Sequence, residues 1–474
     1  MRIRLLGKAI RLVLGLFSLS VLSYVFAFPV FGAAIPESLG IPQLKDTSMR
    51  GVMVKAVSTN PDVQAKWHAF QASRYDQEMA KSGYRPKVDF TASVGRDSLN
   101  GDGYSTSELY DFNRNGVSVF VTQMLYDGNY THNSVKRYNH AMKMRYFDLL
   151  TTMEQTALMA VHAQANYLRY SSLVELAREN LDRHADLMKK VEERTLAGVD
   201  SAVNLETAKG RLALARVNLI TEESNLHDTV TQYVRIVGET PPPGIWDMEV
   251  ELVLPSSPET GAEAAMSNNS LILSYGENSN LMRYVIEEQR ASFRPHLELR
   301  AGATYETNAG GMDGWRSKSY IELVLMFNLY NGGRDTASLH KATEQHSESL
   351  EILKKLKRDI TQSVFISHND IQSYEKQLPN LKQHSISSNV TRNAYRQQFE
   401  AGRRSLLDLL DSENEFYQAE LAYVNASYNQ KIAKSDYLAA TGALLQNYNV
   451  ERDDVPTKAE IGYKPVSEKT VSRK

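Results

Sequence analysis

After Pro86 the side chains alternate, with Val88, Phe90, Ala92 and Val94 on one face and Lys87, Asp89, Thr91, Ser93 and Gly95 on the other. The same alternation follows Pro295, where Leu297, Leu299, Ala301, Ala303 and Tyr305 oppose His296, Glu298, Arg300, Gly302 and Thr304. Partner strands are predicted from about Gly116 to Leu125 and from Ser319 to Leu329, the latter alternating Ile321, Leu323, Leu325 and Phe327 with Glu322 among their polar neighbours. Period two over some ten residues, apolar one way and polar the other, suits a membrane β-barrel strand, although a soluble antiparallel sheet with one wet face has the same pattern. The linking loops Asp97 to Asn113 and Glu306 to Lys318 are long and rich in Gly, Ser, Asn and Asp, which favours the barrel. Four strands cannot close one. Two chains would give an eight-stranded barrel plugged by its own side chains, whereas three give twelve strands and room for a lumen.

The rest of the chain carries helical periods. From Thr131 to Ala197 there is neither Pro nor Gly, and at ~1.5 Å per residue such a helix reaches roughly 100 Å. A heptad seam runs through Tyr146, Met153, Ala160, Tyr167, Val174, Leu181 and Met188, interleaved with Leu149, Thr156, Ala163, Tyr170, Ala177, His184 and Val191, the spacing of coiled-coil packing. Leu150, Ala157, Val161, Leu168 and Leu176 flank the seam, as expected for a helix with neighbours on both sides. A sister helix from Thr336 to Ala401 keeps Leu350, Leu353, Ile360, Val364, Ile371, Tyr374, Leu378, Leu381, Tyr395 and Phe399, with an interruption and kink expected at Pro379. Each far end reverses in a short turn, Ala197-Gly198-Val199-Asp200-Ser201 and Ala401-Gly402-Arg403-Arg404-Ser405, where Gly ends one helix and Ser caps the next. Return helices run to Val237-Gly238 and Thr441-Gly442. Shorter helical stretches, Met49 to Lys81 with Asn60-Pro61 as cap or kink and about Leu271 to Ser292, precede the strands.

The chain therefore repeats itself. Leu125-Tyr126-Asp127-Gly128-Asn129 recurs as Leu329-Tyr330-Asn331-Gly332-Gly333, and at the same offset of 204 Ala197-Gly198 matches Ala401-Gly402 and Val237-Gly238 matches Thr441-Gly442. Upstream, Arg85-Pro86 pairs with Arg294-Pro295 and Asn60 with Asn269 at an offset of 209, so the difference falls in the strand loops. The organisation expected is a signal peptide over 1–34 and a first repeat over 35–239, with a β-hairpin at about 86–125 and a helical hairpin over 131–238 whose tip is near 198. A linker over 240–261 leads to a second repeat over 262–443, with a β-hairpin at about 295–330 and a helical hairpin over 336–442 whose tip is near 402. A polar tail over 444–474 follows, periodless after Tyr448 and of a composition that suits disorder.

Composition narrows the class. Arg2, Arg4, Lys8 and Arg11 precede the apolar run Leu12 to Phe31 and the small residues Gly32, Ala33 and Ala34, a secretory signal with a cut after Ala34. With no Cys in the chain there is no lipidated amino terminus, disulfide framework or thiolate chemistry. A net charge of −2 with interspersed signs gives no nucleic-acid footprint. Beyond the signal no window reaches the roughly 18 apolar residues of a spanning helix, so a membrane crossing must use strands. The eleven His are scattered and His-Glu-x-x-His is absent. Asn100-Gly101-Asp102-Gly103 and Ala309-Gly310-Gly311 read as loop turns that precede no helix, and Trp67, Trp246 and Trp315 read as packing or interfacial aromatics. No cofactor or metal is expected, and an enzyme is not.

Asn60-Pro61-Asp62-Val63, Arg85-Pro86, Leu125-Tyr126-Asp127-Gly128 with its repeat, and the two Ala-Gly turns occur in an order that resembles the TolC family of outer-membrane efflux and secretion channels. The resemblance implies an α+β membrane protein, a trimer in which four strands per chain build a 12-stranded outer-membrane β-barrel continued by a long periplasmic α-helical coiled-coil barrel. It implies a passive conduit, docked by an inner-membrane transporter and its periplasmic adaptor. The unlipidated start and the sequence from Glu193 to Gly238 look most like the type I secretion branch, with an ABC transporter and a large exported adhesin; a drug or metal efflux channel and, less well, a periplasmic coiled-coil adaptor are the alternatives. The family motif places periplasmic gate carboxylates at Asp408 and Asp411, where three acidic pairs would select cations and repel one another; Ser405 with Asp408 also reads as a capping box. The family's closed-tip lock of Asp, Tyr and Arg reads here as Asn204, Phe399 and Arg404, so that lock is lost or rebuilt, with Arg403 as a candidate. Adaptor docking maps to Gly198, Val199 and Gly402. The acids and arginines of the second tip put the gate there.

Overall fold

A computed structural model describes residues 48–98, 111–241, 255, 257–309 and 313–463. The expected signal peptide, the Asn100–Gly103 turn, Gly310, Gly311 and Trp246 lie outside them, as does the chain beyond Tyr463. The elements run α1 (Met49–Thr59), α2 (Pro61–Lys81), β1 (Lys87–Ser98), β2 (Asp111–Asp127), α3 (Tyr130–Leu196) and α4 (Ala202–Val237). The same order follows as α5 (Pro258–Asn268), α6 (Ser270–Arg290), β3 (His296–Thr307), β4 (Trp315–Met326), α7 (Arg334–Glu400) and α8 (Leu406–Thr441), and a short α9 (Leu444–Asn447) closes the series.

The strands form one antiparallel sheet in the order β1-β2-β3-β4. Register sets Lys87 opposite Thr122, Thr122 opposite Arg300 and Arg300 opposite Glu322, a polar row across all four strands. The next residues along, Val88, Val121, Ala301 and Ile321, form an apolar row on the other face. A bulge between Met124 and Tyr126 shifts the register at the helix-proximal end of β2. Gly302 is required on the polar face: a Cβ there would stand 2.7 Å from both the Phe120 and Tyr320 rings, which close over it from the neighbouring strands. The strands are longer at the loop end than the alternation suggested, so the second loop shrinks from 306–318 to 308–314, while β4 stops at Met326 instead of reaching Leu329.

The junctions from strand to helix use left-handed backbone. Gly128 (φ 68) and Asn129 (φ 71) turn the chain into α3, whose Thr131 N–H donates to the Asp127 carboxylate at 2.7 Å. Gly332 (φ 59) and Gly333 (φ 81) do the same before α7. Both long helices have 67 residues, about 100 Å each. The interruption expected at Pro379 does not occur; α7 is continuous there, and the Asn380 side chain donates to the carbonyl of Lys376 at 2.9 Å.

Asn60 and Asn269 cap α2 and α6 and bind each return helix to its own repeat. Asn60 accepts from Asp62 and donates to the carbonyl of Ile236, while Asn269 accepts from Leu271 and Ile272 and donates to the carbonyl of Ala440. Matching clusters surround these ties: Ala56, Ala160 and Tyr233 in the first half, Ala265, Val364 and Tyr437 in the second. The linker read over 240–261 ends early, because α5 begins at Pro258. The largest core joins α1, α2 and α3 to the C-terminal segment through Met53, Phe70, Tyr146, Phe147, Leu444, Val450 and Ile461. The polar tail read as suited to disorder is corrected as far as Tyr463: Tyr146 donates to the carbonyl of Pro456 at 2.8 Å, Lys143 to that of Gly462 at 3.0 Å, and Arg50 to those of Tyr448 and Asn449.

The helical tips as candidate functional site

Both tips are the same helix-ending motif. Val199 N–H reaches back to the carbonyl of Arg194 (2.9 Å) and Arg403 N–H to that of Gln398 (2.8 Å), while Gly198 (φ 73) and Gly402 (φ 71) supply the left-handed residue. An added Cβ on either Gly would meet nothing within 4 Å, so the demand for Gly is conformational. Val199 is exposed beside them. Ser201 then caps α4 by accepting the Asn204 N–H, and Ser405 caps α8 by accepting that of Asp408, each at 3.2 Å.

Between the hairpins sits an apolar cluster of Leu187, Val191, Ala208, Phe399, Leu406, Leu409 and Leu410. Phe399 is buried in it, with the Arg194 guanidinium 5.0 Å from its ring centre. Asn204 turns back to its own loop and donates to the Asp200 carboxylate, which also lies 3.5 Å from Arg194. Arg404 lies 3.9 Å over the Tyr395 ring and 3.7 Å from Asp408. Asp408 also accepts from the Ser405 hydroxyl at 2.9 Å, a contact between the two side chains that leaves only the serine half of the expected capping box formed. Asp411 lies one turn further along α8, 3.3 Å from Arg211 of α4. Arg403 and Arg404 thus sit on the same turn as Asp408, whereas Asn204 and Phe399 are engaged with different partners.

Sequence reading missed the charges that cross between hairpins. Lys190 of α3 meets Glu400 of α7 at 2.6 Å, and Arg211 meets Asp411. Deeper, the buried Glu413 carboxylate lies 3.3 Å from Arg183 and 4.0 Å from Arg392, whose guanidinium groups both stack on Phe416. Burial raises the Glu413 carboxyl above its usual range, with Arg392 and Arg183 opposing it. Burial likewise lowers His184 to about 4, helped by Arg183 and Arg211. Lys190 and Glu400, Arg211 and Asp411, and Arg183 and Glu413 each lie 200 residues or more apart in sequence, so no local periodicity announces them.

Among the described residues, an open amphipathic sheet joined to helices of about 100 Å whose tips hold paired charges is an architecture that suits a membrane-seated channel. The profile of the family described as outer membrane efflux protein matches residues 52–239 and 262–443, and the chain belongs to that family, as its resemblance to TolC implied. It is 20% identical over 89% of its length to the outer membrane efflux protein BepC of Brucella suis biovar 1, covering 91% of that protein. It is 22% identical over 82% to the alkaline protease secretion protein AprF of Pseudomonas aeruginosa, covering 82% of it. The crystal structure of the Campylobacter jejuni CmeC outer membrane channel shares the fold, with a TM-score of 0.74 at 14% identity over 84% of this chain and 86% of that one. The protein is thus an outer-membrane protein with most of its mass in the periplasm, and a passive channel component, not an enzyme.

Proposed function

We propose that three copies of this chain close a twelve-stranded barrel in outer-membrane lipid, continued by a periplasmic tunnel of α3, α4, α7 and α8, and that the assembly exports a protein substrate. The observation that carries this reading is the sheet itself. Among the described residues β1 and β4 each have one neighbour, and the apolar face leaves Phe90 69%, Val94 88%, Ile321 72% and Leu325 66% exposed. Open edges with such a face are unstable in water and forbidden in lipid, and closure with further copies satisfies both demands. The helices point the same way: α7 buries far fewer residues than α3, leaving Ile352, Phe365, Ile366, Ile386 and Val390 exposed for neighbouring helices.

In this reading Asp408 and Asp411 line the closed entrance, Phe399, Asn204, Arg403 and Arg404 shape the tips, and Gly198, Val199 and Gly402 form the surface that receives a periplasmic adaptor coupled to an inner-membrane ABC transporter. Likeness to AprF, named for protease secretion, supports a protein cargo; likeness to BepC, named as an efflux protein, supports small-molecule efflux as the second reading. The purified protein should run as a heat-resistant oligomer and conduct in planar bilayers, and a folded oligomer without conductance overturns the channel. Deletion should abolish secretion of one protein; raised sensitivity to small toxins with secretion intact favours the second reading.

A further inference from the structure

The two entrance acids are compensated in different ways. Asp408 is held within its own turn, by Ser405 and by Arg404, which is itself stacked on Tyr395. All of these belong to the second hairpin and move with it. Asp411 is met instead by Arg211, on the return helix of the first hairpin, at 3.3 Å. At the offset of 204 the first tip carries Asn204 and Thr207 where the second carries Asp408 and Asp411, so the acids come from one repeat and this cation from the other.

We propose that Arg211 is a selectivity-determining residue of the periplasmic entrance, cancelling the charge of Asp411 while the two hairpins are packed and exposing that charge when they part. The inference rests on the reading of Asp408 and Asp411 as pore-lining acids. Arg211 and Asp411 side chains are about one-third and two-thirds exposed, and an ion pair so hydrated contributes little to stability. The clamp between hairpins is therefore the apolar cluster of Phe399, Leu406, Leu409 and Leu410 with Leu187 and Val191, and the pair's consequence lies in the field. An isolated carboxylate attracts a cation at roughly 6 Å in water enough to enrich it about threefold, whereas a guanidinium in contact with it leaves only a dipole. Packed, the entrance keeps a local acid at Asp408 set against Arg404. Parted, it gains one bare carboxylate per chain, so cation preference rises as the entrance opens.

The test is the reversal potential of the purified full-length channel in planar bilayers under a KCl gradient. Arg211→Gln should raise the K+/Cl− permeability ratio by about threefold, Arg211→Lys should keep the native ratio, and in an Asp411→Asn background Arg211→Gln should no longer raise it. Each variant is first checked as a heat-resistant oligomer, and should Arg211→Gln fail to assemble, Arg211→Met, which also removes the charge, is read in its place with the same rise expected. An unchanged ratio in Arg211→Gln, or the same rise in both backgrounds, overturns the role of Arg211 while leaving the acids in place. If Asp408→Asn and Asp411→Asn are both silent as well, the acids do not line the conducting path, and the underlying reading falls with the inference.

Discussion

Glu154 stands on α3 with only 9% of its surface exposed, and its carboxylate accepts the N–H of Leu444 at 2.9 Å, capping α9 from a helix 290 residues earlier. Burial raises its pKa from 4.5 to about 7, against the opposing pull of the Leu444 and Leu445 amides and of Lys458. With the C-terminal segment undocked, Glu154 ionises from about 4.5 upward, while the docked form keeps its proton until about 7. Docking is therefore strongest below 4.5 and is lost progressively as pH rises through 7. The interval between the two values corresponds to about 3 kcal/mol, or roughly a 300-fold change in the opening equilibrium. Glu154→Gln keeps an acceptor for Leu444 and removes the ionisation. Hydrogen exchange at the Leu444 and Leu445 amides, corrected for intrinsic rate, should lose protection by up to that factor between pH 4.5 and 8 in the native chain. It should stay nearly flat in the variant. Protection that is equally flat in the native chain would refute the reasoning.

Gly442 (φ 72) has backbone of Asn268 and Asn269 within 2.7–2.9 Å of where a Cβ would stand. Gly442→Ala should cost about 2 kcal/mol or more and lower the dissociation temperature of the oligomer, while Gly402→Ala, strained in backbone only, should cost about 1 kcal/mol. Burial holds His184 at about 4 against 6.5, so it folds neutral; stability present above 6.5 is lost as pH falls through 4, by up to about 3 kcal/mol. His184→Gln should flatten that acid limb in urea melts. Phe399→Ala should remove about 3–5 kcal/mol from the tip cluster and raise the open probability of single channels.

Local signals made much of the fold legible. Period-two runs gave the strands, Gly-free stretches the long helices, and Gly followed by Ser the tips. Helix α5 carried its own signal, Ser257-Pro258-Glu259 at its start, but its first turn fell in the linker read over 240–261. The C-terminal segment carried none: Val450 and Ile461 are single apolar anchors with no shared period, and their partners Met53 and Tyr146 are hundreds of residues away. The pairs Lys190–Glu400 and Arg211–Asp411 were invisible for the same reason, since each half looks like an ordinary solvated helix face until the two hairpins meet. The capping position of Asp408 was foreseen, because Ser405 and Asp408 stand three residues apart at the start of a helix.

The docked C-terminal segment also sets an order of events for the growing polypeptide. Phe70, Tyr146 and Phe147 are among the early residues of the chain, yet the core around them is finished by Leu444, Val450 and Ile461. Contacts of such sequence separation form late and slowly. A chain cut short anywhere before α9 leaves those aromatic rings uncovered, a surface suited to capture by periplasmic chaperones or proteases. Closure of this core thus waits for the residues from Leu444 to Ile461.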